Sequence, residues 1–349
     1  MIWKRIGLKD FDFPHLVNYR KDYMKVGELP RAGVELRKID KKDQGIDIEE
    51  IKGPNRELIS LADQHHNSGM FLSLSPKVKI DEPIKLEYKM DSKDPMVIDK
   101  NIIVAEYGSK ATIVMDYSSR EGEEVFHNGL TVVYAKEKSE INIIKLQRMN
   151  NLSRNFDMNI AWIEGQGKVN WISVELGSDI SGTSFSSYLR GQASESNMSS
   201  IFLVDGERKM DLEYSMIHQG ARSISNIESK GVLKDNAKKV FRGNLDFERG
   251  ARRSKGVEEE YVILLDPTVK SDSIPALMCG EDDVIGEHAA SAGQIDESKL
   301  FYLMSRGLSE RDAKKLIVEA SFAPIINHIP LEDLRTLISS EVERRLVNA

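Results

Sequence analysis

The chain has 349 residues, 40% of them hydrophobic and 30% charged, with 49 Lys and Arg against 56 Asp and Glu. That is enough apolar material for a sizeable core, and a net charge of −7 argues against a nucleic-acid coat or a polybasic membrane protein. The single Cys excludes a disulfide framework and any zinc or iron–sulfur site built from several thiolates of one chain.

The start, MIWKRIGLKDFDFPH, carries no apolar stretch of signal-peptide length, and no apolar run approaches the roughly 18 residues of a bilayer span. The expectation is a protein of the reducing cytoplasm. Residues 1–70 are charged and broken by Gly and Pro. Within them Leu58, Ile59, Leu61 and Ala62 have helical spacing, with Pro54 in a tolerated first turn and Gly69 as a stop. His65 and His66 diverge by about 100° on such a helix and read as a surface pair, not a metal site.

From Phe71 onward the pattern becomes short runs of β-formers, such as 102–105, 111–115, 130–134, 141–144, 169–174, 201–204 and 262–265, predicted as strands of four to six residues. Polar turns at Gly108-Ser109, Lys136–Ser139, Gly165–Gly167, Asp205-Gly206 and Lys234–Asn236 separate them. Most centres lie about 30 residues apart, with a longer gap across Ser178–Ser200. No helix intervenes, which disfavours an alternating βα sheet. A right-handed parallel β-helix over 71–293 explains both period and strand length, with a propeller as competitor. The Ser-rich stretch 178–187 then reads as polar rungs in preference to a linker.

Residues 294–349 change to helical periodicity. Asp296 caps a helix carrying Leu300, Phe301, Leu303 and Met304 that ends at Arg306-Gly307. Ser309 and Asp312 form a capping box before a helix that Pro324 should kink or end. A third helix opens at Pro330 with Leu334, Leu337, Ile338, Val342 and Leu346 on one stripe. Part of that stripe is expected to pack on the solenoid end and part to serve a partner.

No phosphate loop, dinucleotide fingerprint, H-E-x-x-H or G-x-S-x-G is present, and no carboxylate spacing singles out an acid/base pair. The basic cluster Arg249–Lys255 lacks interleaved aromatics and sits beside Glu258–Glu260, so it reads as a solvated turn and not a nucleic-acid patch. One region stands apart. Cys279 lies nine residues before His288, itself preceded by Glu287, across a Gly- and acid-rich turn. A hairpin-like return would bring thiolate and imidazole, both suited to iron, copper or zinc, toward each other.

Several blocks in order resemble the SufB/SufD family of iron–sulfur cluster assembly proteins: 229–245 (SKGVLKDNAKKVFRGNL), 261–265 (YVILL), 273–277 (SIPAL), 282–284 (DDV), 287–293 (EHAASAG) and 300–307 (LFYLMSRG). The stretch 75–84 (SPKVKIDEPI) resembles the family's entry into its β-helix. The match is dense over 214–328 and thinner upstream. The resemblance implies a right-handed parallel β-helix core flanked by helical regions. It also implies a scaffold for a transient iron–sulfur cluster, working with a SufC-like ABC ATPase that docks on the C-terminal helices. The missing phosphate loop would then belong to the partner.

His288 falls on the His of the family's cluster-site block, and Glu287 before it is closer to the SufB type than to the SufD type. Where SufB-type chains carry the scaffold Cys, this one has Val269-Lys270-Ser271. Cys279 as replacement thiolate is an inference from this sequence and not from the family motif. The expected assembly is a homodimer, or a heterodimer with a paralogue, pairing near 262–290. Cys279, His288 and Glu287 are the expected metal and cluster ligands, with no catalytic residues. The rivals are a carbohydrate-active β-helix enzyme and a structural ATPase-docking subunit that carries no cluster.

Overall fold

A computed structural model of the chain describes residues 3–6, 14–29, 32–40, 42–43 and 56–347. Its core is a parallel β-solenoid of two facing sheets, one of nine strands and one of ten. Consecutive strands alternate between the sheets, so each turn of the solenoid contributes one strand to each. Along one column of the first sheet, Lys110, Glu140, Lys168, Glu195, Ile224, Lys255 and Ile285 stack in register. The repeat therefore runs from 27 residues (Lys168 to Glu195) to 31 (Ile224 to Lys255). A propeller is ruled out.

Most solenoid strands have eight to eleven residues, longer than the predicted four to six. Strands such as Met96–Ala105 and Phe126–Ala135 are buried on both faces, and interior polar residues interrupt the apolar runs that mark strands in the sequence. The expected long gap across Ser178–Ser200 is also corrected. Ile180–Leu189 is a strand, and the next turn is at Gly191–Ala193. The turns at 108, 137 and 166 share one corner of the solenoid, whereas those at 206 and 235 share the opposite one. A strand that is half Ser and Thr concealed the step between corners. As expected, its hydroxyls line the interior: Asn155 Nδ2 donates to Ser181 Oγ at 2.9 Å and Trp171 Nε1 to Ser187 Oγ at 3.1 Å.

Three apolar clusters hold the molecule together. The solenoid interior is the first, with Trp171, Phe185, Tyr214 and Phe241 in successive edge-to-face contacts at 5.2, 5.7 and 5.4 Å. On the outer face of the second sheet lie the turn Trp3–Ile6 and helix α1 (Arg56–His65), which buries Leu58, Ile59 and Ala62. Its predicted first-turn Pro54 lies outside the described residues. His65 ends this helix exposed, and His66 Nδ1 lies 3.3 Å from the Asp63 carbonyl, as a surface pair should.

The C-terminal region forms α2 (Glu297–Ser305), α3 (Glu310–Ile326) and α4 (Glu332–Val347). Asp296 and Ser309 cap the first two as expected. Pro324 does not stop α3 at once; the helix runs two residues further. The α4 stripe of Leu334, Ile338 and Val342 is buried, with Leu337 and Leu346 partly so. It lies on the lateral outer face of the first sheet, against Val114, Ile144, Val174 and Ile201, and not on the solenoid end.

Candidate functional site

The last strands determine the chemistry of one end. Lys270–Ser273 and Ala276–Cys279 both pair with Lys238–Phe247, and Ile274-Pro275 separates them. Proline has no N–H to give the ladder, so the strand breaks there. After a turn at 280–283 the chain enters the other sheet as Val284–Gln294, paired along its full length with Ser254–Leu264. Among the described residues no strand pairs with its opposite edge. Nearly every side chain of this strand is exposed.

Register decides which way the three candidate residues face. In a parallel in-register sheet, partners share a face. His288 pairs with Glu258, whose carboxyl points into the solenoid; Glu287 pairs with Val257 and faces outward. Cys279 pairs with Phe247, which stacks inward on the ring of His218 at 4.5 Å. Cys279 and His288 thus come from opposite sheets onto the inner side of the same open end, both exposed. Between them Leu277 leans over Gly286, where a Cβ would lie 2.6 Å from Leu277 Cδ1. Glu287 does not join them on that side. Among the described residues no cluster of three or more His, Cys, Asp or Glu side chains is placed to hold a metal ion.

Beneath His288 lies a feature the sequence reading missed. Glu258 and Glu260, which enter the sequence reading only as acidic neighbours of the basic turn, are 1% and 3% exposed. Only Glu259 faces outward, following the alternation of a strand. Glu260 shares a buried ion pair with Lys239 and accepts from Ser273 Oγ. The carboxyl of Glu258 has no hydrogen-bond partner among the described residues and sits against Gly243, where a Cβ would lie 2.0 Å from Oε1. Burial, with the nearby Glu260 charge, pushes it up to about 7. The signal was available: Ser225, Gly256 and Glu258 share one parity across neighbouring strands.

A polar column leads from this end inward. Glu260 stacks on Ser229, Ser200, Ser173 and Lys145 in successive strands. Lys145 Nζ donates to both Asp157 oxygens at 2.8 Å. Beyond it, buried His127 bridges Asp99 at 2.7 Å and Asn155. The basic turn Arg249–Arg253 faces the acidic turn 281–283, with Arg253 3.6 Å from Asp283, as a solvated corner should.

Beside the open end, α2 buries none of its residues, and Phe301 is 74% exposed. With Met278 at 47% and Ile285 at 55%, the end presents more large apolar surface than an isolated solenoid would keep in water. No helix among the described residues is long and apolar enough to cross a membrane.

Comparison with known proteins agrees with this architecture. The SufBD core domain of the SUF iron–sulfur cluster assembly system matches residues 88–321, so the likeness extends well upstream of the densest motifs. The iron–sulfur cluster assembly protein SufD of Bacillus subtilis is 26% identical over 298 residues, 85% of this chain and 68% of its own length. A SufBD family protein of Staphylococcus saprophyticus is 26% identical over 79% of this chain and 60% of its own. One from Mycobacterium leprae is 26% identical over 80% of this chain and 32% of its own. The chain thus spans about two thirds or less of the relatives it matches. With two thirds of its length in the family's core domain, folded as a parallel solenoid with flanking helices, the chain belongs to the SufB/SufD family of iron–sulfur cluster assembly proteins.

Proposed function

We propose that this protein is a scaffold on which an iron–sulfur cluster, its cargo, is assembled at the open end of the solenoid. Two copies would meet there edge to edge. The observation that carries the reading is the eleven-residue strand Val284–Gln294, exposed and, among the described residues, unpaired along one edge, which bears His288 at the same open end as the exposed Cys279. An edge of this length is a template for a second chain unless something covers it.

One thiolate per chain cannot supply the usual four cluster ligands, whereas a dimer brings two thiolates and two imidazoles to one seam. Nitrogen ligands hold iron less exclusively than sulfur, which suits a site that must release its product. Glu287, on the outward face, would reach the seam only from the partner's side. The exposed apolar face of α2 is assigned to a SufC-like ABC ATPase, since the chain has no phosphate loop of its own. Family membership leaves the carbohydrate-active alternative without support.

Anaerobic reconstitution with iron and sulfide, followed by visible and Mössbauer spectra, tests the reading. Wild type should form a cluster as a dimer, and Cys279→Ser and His288→Ala should each lower the yield severalfold while the far-UV circular dichroism is unchanged. Normal reconstitution by both variants would overturn the site.

A further inference from the structure

The solenoid corner at Asp205–Arg208 and the last turn of α4 enclose a cavity of about 370 Å³, remote in sequence from the open end. Arg148, Arg208, Lys234, Arg344 and Arg345 line it, together with Asp205. Asp205 serves two guanidinium groups at once: it pairs with Arg208 of its own turn and with Arg345 of α4. One carboxylate neutralises one of them. Arg345 is 7% exposed, yet among the described residues its Nη1 has no hydrogen-bond partner, and neither has Nε of Arg208. Lys234 is partly exposed and makes no ion pair with a described residue.

The other charges on the wall are already committed or distant. Arg148 is held by Asp116 at 2.9 and 3.0 Å, and Arg344 by Glu341 at 2.9 Å. Asp235 accepts the Gly206 N–H at 2.8 Å, and Glu121 is exposed at the rim. Among the described residues three donors therefore remain without an acceptor: Arg345 Nη1, Arg208 Nε and the Lys234 ammonium. A buried donor left unpaired is destabilising, more so when charged. Burial lowers both guanidinium groups to about 10, with the charge of Arg345 adding to the effect at Arg208 and that of Arg344 at Arg345. That is the state a bound anion would relieve.

We propose that this cavity binds a phosphoryl oxyanion, either inorganic phosphate or the phosphoryl group of a nucleotide. Tetrahedral oxygens suit two guanidinium forks and an ammonium better than a planar carboxylate or a halide does. Because Arg345 belongs to α4 and Arg208 to the solenoid, the anion fastens the C-terminal helix to the β-core. The inference is independent of the cluster reading above.

Titration of the full-length protein with inorganic phosphate, pyrophosphate and ADP, at ionic strength fixed with chloride, tests it. Calorimetry and amide exchange across 332–347 are the readouts. Saturable binding with at least fivefold slower exchange in α4 is expected; phosphate alone, or ADP in preference, identifies the source. Lys234→Gln should weaken binding at least threefold without altering exchange in the unliganded protein, and Arg208→Gln at least tenfold. No saturable effect beyond chloride with any of the three probes, or unchanged affinity in both variants, would overturn the proposal.

Discussion

The two ends of the solenoid solve the same problem in opposite ways. At the N-terminal end both sheet edges are closed by short antiparallel strands: Val34–Lys38 on Met70–Leu74, and Met24–Lys25 on Ile84–Met90. Tyr23 stacks on Tyr88 at 4.9 Å, its hydroxyl donates to the Gly69 carbonyl at 2.8 Å, and Tyr19 packs beside both. At the C-terminal end a long parallel strand is left bare, with exposed apolar residues around it. Reversing strand direction terminates a parallel stack, whereas a bare parallel edge invites continuation. One end is thus finished within the chain, whereas the other leaves a strand edge free among the described residues, and that edge is where we propose a second copy pairs.

The comparison breaks most visibly if an aromatic residue is removed from the closed end. Tyr23→Ala should cost about 3–5 kcal/mol of stability, the range for truncating a buried ring, with no change in oligomeric state. Urea unfolding monitored with sedimentation measures both. A loss below 1 kcal/mol would mean that the antiparallel cap is ornamental.

Next in size is the pH dependence of the sealed interior between the ends. Burial raises the carboxyl of Glu175 to about 7, from an ordinary value near 4.5. Below pH 4.5 both folded and unfolded states hold the proton, so no penalty exists. Between 4.5 and 7 the unfolded chain releases it first, and stability falls as pH rises; above 7 the penalty is complete. Glu175→Gln should therefore exceed wild type by roughly 3 kcal/mol at pH 8, and by little at pH 4.5. A difference that does not change with pH would sink the assignment.

At the open end the expected effects fall on association. Ala290 and Ala292 share the inner face of the free strand with His288. Ala290→Lys with Ala292→Lys should weaken self-association at least tenfold, about 1.4 kcal/mol, while leaving the monomer's unfolding midpoint in place. Light scattering against concentration reads this directly, and an unchanged dimer would place the seam elsewhere. The smallest stability effect belongs to Phe301→Ala, within about 0.5 kcal/mol, because nothing covers that ring. Its consequence should appear only as lost co-purification with the proposed ATPase partner.

Much of this molecule is legible one residue at a time. Turn chemistry at Gly108-Ser109 or Asp205-Gly206, the caps at Asp296 and Ser309, and the α4 stripe are local features, fixed by dihedral preference and by spacing within one element. The family motifs around Glu287 and His288 are likewise properties of consecutive residues. The β-solenoid, its approximate period and its helical flanks therefore follow from the sequence by itself. Tertiary structure alone decided that Cys279 and His288 share an inner face that Glu287 does not, and that Asp205 is divided between two arginines. Each of these depends on a neighbour about 30 residues away or on the opposite sheet, and in a parallel stack register over that distance sets which face a side chain takes.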